Sequence, residues 1–116
     1  MINVYLDDLR DCPDGFVLAR TFEEAVILFK ENEVNILTLD HDLGENNGIE
    51  LKNGYDFVKY FCENGLKANK IYHHTDNPVG RVNMYETLMA SQRRGFISDA
   101  IEIYSYPITV NKYSGK

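Results

Sequence analysis

Three short polar clusters could do chemistry together: Asp7-Asp8, Asp40-His41-Asp42 and His73-His74-Thr75-Asp76-Asn77. Each follows directly on an apolar run. Asp7, Asp8, Asp40 and Asp42, if brought together, repel one another unless something neutralises them. A hard divalent cation does so well, because Mg²⁺ takes oxygen ligands and is usually held by one or two carboxylates plus substrate phosphate. Mg²⁺ or Mn²⁺ is therefore the expected cofactor. Asp7, Asp8 and Asp40 are the first-choice ligands, with Asp42 in support.

His74 is the candidate general acid or base, since an unperturbed imidazole titrates near pH 6.5. Asp40 and Asp42 join it in the candidate catalytic set, with Asp42 or His41 orienting the reacting groups. Thr75 and Asn77 could hydrogen-bond a phosphate. The N–H groups opening the helix after Pro78, that of Gly80 included, offer a weak anion site. Arg10 could clamp phosphate with its fork of donors, and Arg81 is a weaker candidate.

Each residue also has a plainer reading. Asp7-Asp8 could be a solvated strand end, and Asp40 and Asp42 could cap a turn. His41 is read as orienting the loop. His73 and His74 point to opposite sides of a strand, so one faces inwards and one the rim, and His73 is read as structural. Arg93-Arg94 complements a helix dipole. Convergence of three separate strand ends favours the chemical reading.

Elements must deliver these clusters to one place. Ile2–Leu6 reads as a strand, 9–15 as a loop and 16–20 as a second short strand. Thr21 with Glu24 reads as a capping box opening a helix over about 22–33. A strand over 35–39 follows, apolar around the single Thr38. Residues 43–53 read as a mobile loop. A helix spans 55–64, ended by Gly65, and Lys70–His73 is a strand. Asn77 then Pro78 starts a helix running to about Arg94. Residues 100–106 alternate like a strand, and the tail after Pro107 is ambiguous.

Strands alternating with helices predict a flavodoxin-like open parallel α/β sheet of about five strands, covered by helices on both faces. In the order 2-1-3-4-5, strands one, three and four are neighbours, and ligands sit outside their carboxyl ends. The first crossover is unusually short. Its seven residues span at most about 23 Å, against about 17 Å for a five-residue strand. The first crossover helix is thus predicted to be missing or a single turn.

The chain has 116 residues, 44% hydrophobic and 26% charged, which fits a single domain over 1–116 with one core. No apolar run approaches a membrane span, and the start lacks the features of a signal peptide. Cys12 and Cys62 form no metal-binding spacing, so a reduced, cytoplasmic setting is expected. Net charge is −6 and the pI about 4.9, which disfavours duplex DNA. A small phosphorylated ligand or an RNA end held through a metal ion stays compatible. Oligomeric state is not legible.

The stretches "VYLDDLRDCPDGFVLARTFEEA", "LTLDHDLG", "NGYDFV" and "HTDNPVGRVNM" together resemble the cyclic-phosphate processing receiver-like domains, small relatives of the response-regulator receiver. The resemblance covers roughly residues 1–95. It implies a flavodoxin-like sheet and processing of cyclic phosphates, such as 2′,3′-cyclic RNA ends or cyclic nucleotides. The family's acidic pair and arginine match Asp7, Asp8 and Arg10. Its Asp-His-Asp matches Asp40, His41 and Asp42, followed by Gly44. Its Gly-Tyr-Asp matches Gly54, Tyr55 and Asp56. Its His-Ser/Thr-x-Asn-Pro matches His74, Thr75, Asn77 and Pro78. Asp76 departs from the pattern; a charge there would weaken phosphate binding or add a metal ligand. Taken with the acidic clusters, this leads to the expectation of a metal-dependent phosphoesterase. The alternatives are a receiver phosphorylated on Asp40, a sensor of phosphorylated ligands, or a degenerate member that only binds a partner. An ordinary receiver would carry a lysine at the end of its last strand, which "IEIYSYP" lacks.

Overall fold

The computed structural model describes residues 1–109. The elements, in chain order, are β1 (Ile2–Leu6), β2 (Val17–Ala19), α1 (Phe22–Glu31), β3 (Val34–Leu39), β4 (Glu45–Asn46), β5 (Ile49–Glu50), α2 (Gly54–Glu63), β6 (Lys70–His73), α3 (Pro78–Arg93) and β7 (Glu102–Ile103). Five strands form one parallel sheet in the order β2-β1-β3-β6-β7. This is the flavodoxin-like order expected from the sequence. Residues 110–116, the end of the ambiguous tail, lie outside the described residues.

No helix joins β1 to β2, as the short crossover predicts. That absence corrects the expectation of helices on both faces. Right-handed crossovers place the connections either side of a central strand on opposite faces, so the missing helix is one that would cover the second face. The described helices share one face, since α1 and α3 both pack on α2. Val4, Leu6, Leu37, Leu39 and Ile71 point to that side and join Phe57, Phe61, Met84 and Leu88 in the core. The alternate residues Tyr5, Thr38 and Tyr72, aligned across the sheet, face the other way. The crossover chain itself lies there. Phe16 meets the Tyr5 ring edge-on at 6.1 Å, and Asn3 Nδ2 donates to the Gly15 carbonyl at 3.3 Å.

Local chemistry explains the boundaries, and three further corrections follow. Thr21 Oγ1 accepts from the Glu24 N–H at 3.1 Å, but the Glu24 carboxylate takes the Arg20 N–H, so only half of the expected box forms. The full capping box is at α2, between Asn53 and Asp56. Residues 43–53, read as a mobile loop, contain the β4–β5 hairpin. Asn47 (φ 55°) and Gly48 (φ 78°) supply the two left-handed positions of its turn. At the sheet edge β7 is shorter than expected, although Tyr104 N–H still donates to Ile71 and His73 N–H to Tyr106.

Candidate functional site

The carboxyl ends of β1, β3 and β6 open into one cleft of about 570 Å³. Asp7, Asp8 and Arg10 line it from the first strand end, Asp40 and Asp42 from the second, and Thr75, Asp76 and Asn77 from the third. Three distant stretches meet there because β1 and β6 both pair with β3 in parallel register, ending together at Leu6, Leu39 and His73.

Asp7 forms the floor and is 1% exposed. Its Oδ1 accepts the backbone N–H groups of Leu9 and Arg10 at 2.8 and 2.9 Å, which turns the chain sharply after the strand. Its Oδ2 lies 3.0 Å from His74 Nε2. A carboxylate in contact with a ring nitrogen requires the proton on that nitrogen. His74 Nδ1 is then the acceptor of the Thr38 hydroxyl beside it. The imidazole stacks on Tyr5, with centroids 4.1 Å apart and planes 8° from parallel. Burial pushes the His74 pKa down to about 4, against the upward pull of Asp7.

These contacts change the expectation for His74. It does not line the cleft, both ring nitrogens are engaged, and near neutral pH it carries no extra proton. It stands behind Asp7 as a positioning group rather than meeting a substrate as acid or base. His73 does face the helices. It is fully buried, its Nδ1 donates to the Tyr104 carbonyl at 2.6 Å, and its ring meets Tyr85 edge-on.

Asp40 is half-buried. Burial raises its pKa, helped by the charges of Asp7 and Asp8, while hydrogen bonds from the Thr75 hydroxyl and the His41 N–H pull the other way. Oxygen atoms of Asp7 and Asp40 and a nitrogen of His74 lie within 4.8 Å of one another. Asp8 lines the same cleft but is outside that trio. Two adjacent carboxylates, one fully buried, suit a hard divalent cation.

Arg10 is committed elsewhere than expected. Its Nη1 donates to the His74 carbonyl at 2.8 Å, and its Nη2 pairs with Asp76. Asp76 thus contacts the arginine and does not join the trio. Arg10 is the one basic residue lining the cleft among the described residues.

His41 is also turned away from the cleft. Its Nδ1 pairs with Asp42 Oδ1 at 2.9 Å and its ring lies against Gly80, where an added Cβ would overlap it. The Gly80 N–H, expected to be open to an anion, donates instead to Asn77 Oδ1 at 2.9 Å as the α3 cap. Asn77 Nδ2 reaches Asp42 Oδ2 at 3.4 Å. His41, Asn77 and Gly80 therefore brace the Asp42 wall.

Sequence reasoning missed the roles of Thr38, Tyr5 and Gly54. The Gly54 N–H donates to the His41 carbonyl at 2.7 Å, and a side chain there would strike the Asp40 carbonyl. Thr38 is the one fully buried polar residue of β3, set among apolar neighbours, a signal that it served something buried. Arg81, the weaker candidate, is not among the cleft residues. No described helix is long and apolar enough to cross a membrane.

The family model described as the cyclic-phosphate processing receiver domain matches residues 2–90. No curated protein matches the chain.

Proposed function

The chain belongs to the cyclic-phosphate processing receiver family, and from that membership we propose that it is a metal-dependent phosphoesterase acting on a cyclic phosphate. The substrate class is a 2′,3′-cyclic RNA end or a cyclic nucleotide. The observation that carries the reading is the pair of Asp7 and Asp40 in a cleft with polar walls, with His74 close behind Asp7. Asp7 and Asp40 would hold Mg²⁺ or Mn²⁺, with Asp8 at the cleft edge. Such a cation polarises a phosphoryl oxygen and makes bound water more acidic.

The chain's own groups have separable tasks. Leu9 N–H, Arg10 N–H and His74 fix the Asp7 carboxylate from three sides, leaving its cleft side open. Thr75 holds Asp40. Asp42, exposed on the cleft wall and braced by His41, takes the proton of an attacking water. Arg10 offers its Nη2 edge to a phosphate oxygen.

The test incubates purified protein with 2′,3′-cyclic nucleotides and a cyclic-phosphate-ended oligoribonucleotide, with Mg²⁺ or Mn²⁺. Turnover that disappears in Asp7→Asn is expected. A broad cyclic-phosphate panel with no turnover overturns the reading.

The placing of Thr75 and Asp40 in one cleft favours one alternative, a receiver that accepts a phosphoryl group on Asp40. Treatment with acetyl phosphate followed by mass spectrometry separates the two. A stable added phosphate, absent in Asp40→Asn, would favour the receiver.

A further inference from the structure

We propose that Asp76 sets the charge preference of this cleft, competing with anions for Arg10 and excluding doubly charged phosphate more strongly than singly charged phosphate. The inference rests on the reading of the cleft as a phosphate site.

Arg10 is held from behind by the His74 carbonyl through Nη1. Its outward nitrogen, Nη2, is the one an anion would meet, and the Asp76 carboxylate already sits on it. Side-chain exposure is 46% for Arg10 and 90% for Asp76, so the pair is solvated and weak enough for a ligand to displace. A displaced Asp76 stays tethered beside the site. Its charge then adds to those of Asp8, Asp40 and Asp42 around a single arginine.

The chemistry gives this crowding a direction. A cyclic phosphodiester carries one negative charge. Water adds across one of its P–O bonds, freeing a hydroxyl and leaving a monoester whose second ionisation lies near pH 6. The product therefore gains charge at neutral pH. Repulsion from a fixed carboxylate doubles when the ligand charge doubles, so Asp76 penalises product more than substrate and favours its release.

A matched pair of small probes reads this directly. Dimethyl phosphate is a monoanion, and methyl phosphate is a dianion at pH 8. Both are titrated into ¹⁵N-labelled protein with and without Mg²⁺, following the amides of Leu9, Arg10 and Thr75. In Asp76→Asn, dimethyl phosphate should bind about threefold more tightly and methyl phosphate about tenfold, because twice the charge squares the factor. Asp76→Glu should restore the original ratio of the two affinities, and Arg10→Gln should weaken both ligands. Asp76 is exposed at the surface, and unchanged amide spectra elsewhere verify the fold of each variant. If both probes bind but their ratio is unchanged in Asp76→Asn, the role of Asp76 is overturned while the phosphate site stands. If neither probe shifts these amides in any variant, the phosphate reading falls and this inference with it.

Discussion

His74 Nε2 lies 3.0 Å from Asp7 Oδ2, and the two side chains are 5% and 1% exposed. The imidazole is supported by the Thr38 hydroxyl at Nδ1 and by the Tyr5 ring against its face. A buried carboxylate needs donors, and this one receives a side-chain donor from the residue just past β6, 67 positions along the chain. The geometry makes His74 a support for the candidate metal ligand. It is a better account of a twice-bonded imidazole than direct proton transfer to a substrate.

Acid should destabilise the fold through this imidazole. Its folded pKa of about 4 lies below the ordinary 6.5, so the unfolded chain binds the proton more readily. The stability it contributes is present above pH 6.5 and is lost as pH falls towards 4, on the order of 3 kcal/mol in all. His73 shifts in the same direction, and Asp40, raised by burial, opposes it. Urea unfolding of wild type and His74→Gln between pH 4 and 7.5 measures the effect. An equal pH slope in both proteins would exclude the buried imidazole as its source.

Removing the imidazole should also weaken cation binding. His74→Ala leaves Asp7 Oδ2 without its donor, a cost of about 1–3 kcal/mol to the fold. Wild type should gain about 2.7 kcal/mol of stability at a Mn²⁺ concentration one hundred times its dissociation constant. Thermal melts with and without Mn²⁺ should show a gain of several degrees, reduced in His74→Ala and abolished in Asp7→Asn and Asp40→Asn. An undiminished gain in Asp40→Asn would place the cation elsewhere.

Two glycines should respond differently to alanine. At Gly54 a Cβ meets the backbone carbonyl of Asp40, which cannot swing aside, so Gly54→Ala should cost about 3 kcal/mol or more. At Gly80 it meets the His41 ring, which can rotate, so Gly80→Ala should cost about 1–2 kcal/mol. The second variant should fold and lose activity as Asp42 loses its brace. Urea midpoints give the ranking, and a Gly80→Ala as active as wild type would remove His41 from the site's support.

Thr75→Val keeps shape and deletes a hydroxyl that accepts the Asn77 N–H at 3.1 Å and pulls the Asp40 pKa down. The loss should cost about 1–2 kcal/mol and push the Asp40 pKa higher still. Titration of the Asp40 carboxyl by ¹³C NMR checks the direction. A fall in that pKa would mean the hydroxyl does not stabilise the carboxylate.

Most of the scaffold was legible because its signals are local. The strand at Lys70–His73, the Asn77-Pro78 helix start and the bare first crossover follow from neighbouring residues and chain reach. The β4–β5 turn was equally local, in Asn47-Gly48, but was hidden by the polar run around it. The second face, without a helix among the described residues, was implied by the missing crossover helix. It needed the handedness of parallel connections to be followed one step further.

The sequence alone determined which residues could share a rim, because parallel strands end in charges where a core stops and a ligand edge begins. It also determined that acids would outnumber bases there. Which way each side chain turned was a tertiary decision. Burial and competing partners drew His74 behind Asp7, Arg10 onto Asp76 and the Gly80 N–H onto Asn77. Those partners come from other elements, or from a side chain whose rotamer is set by packing, and a linear pattern carries no record of them.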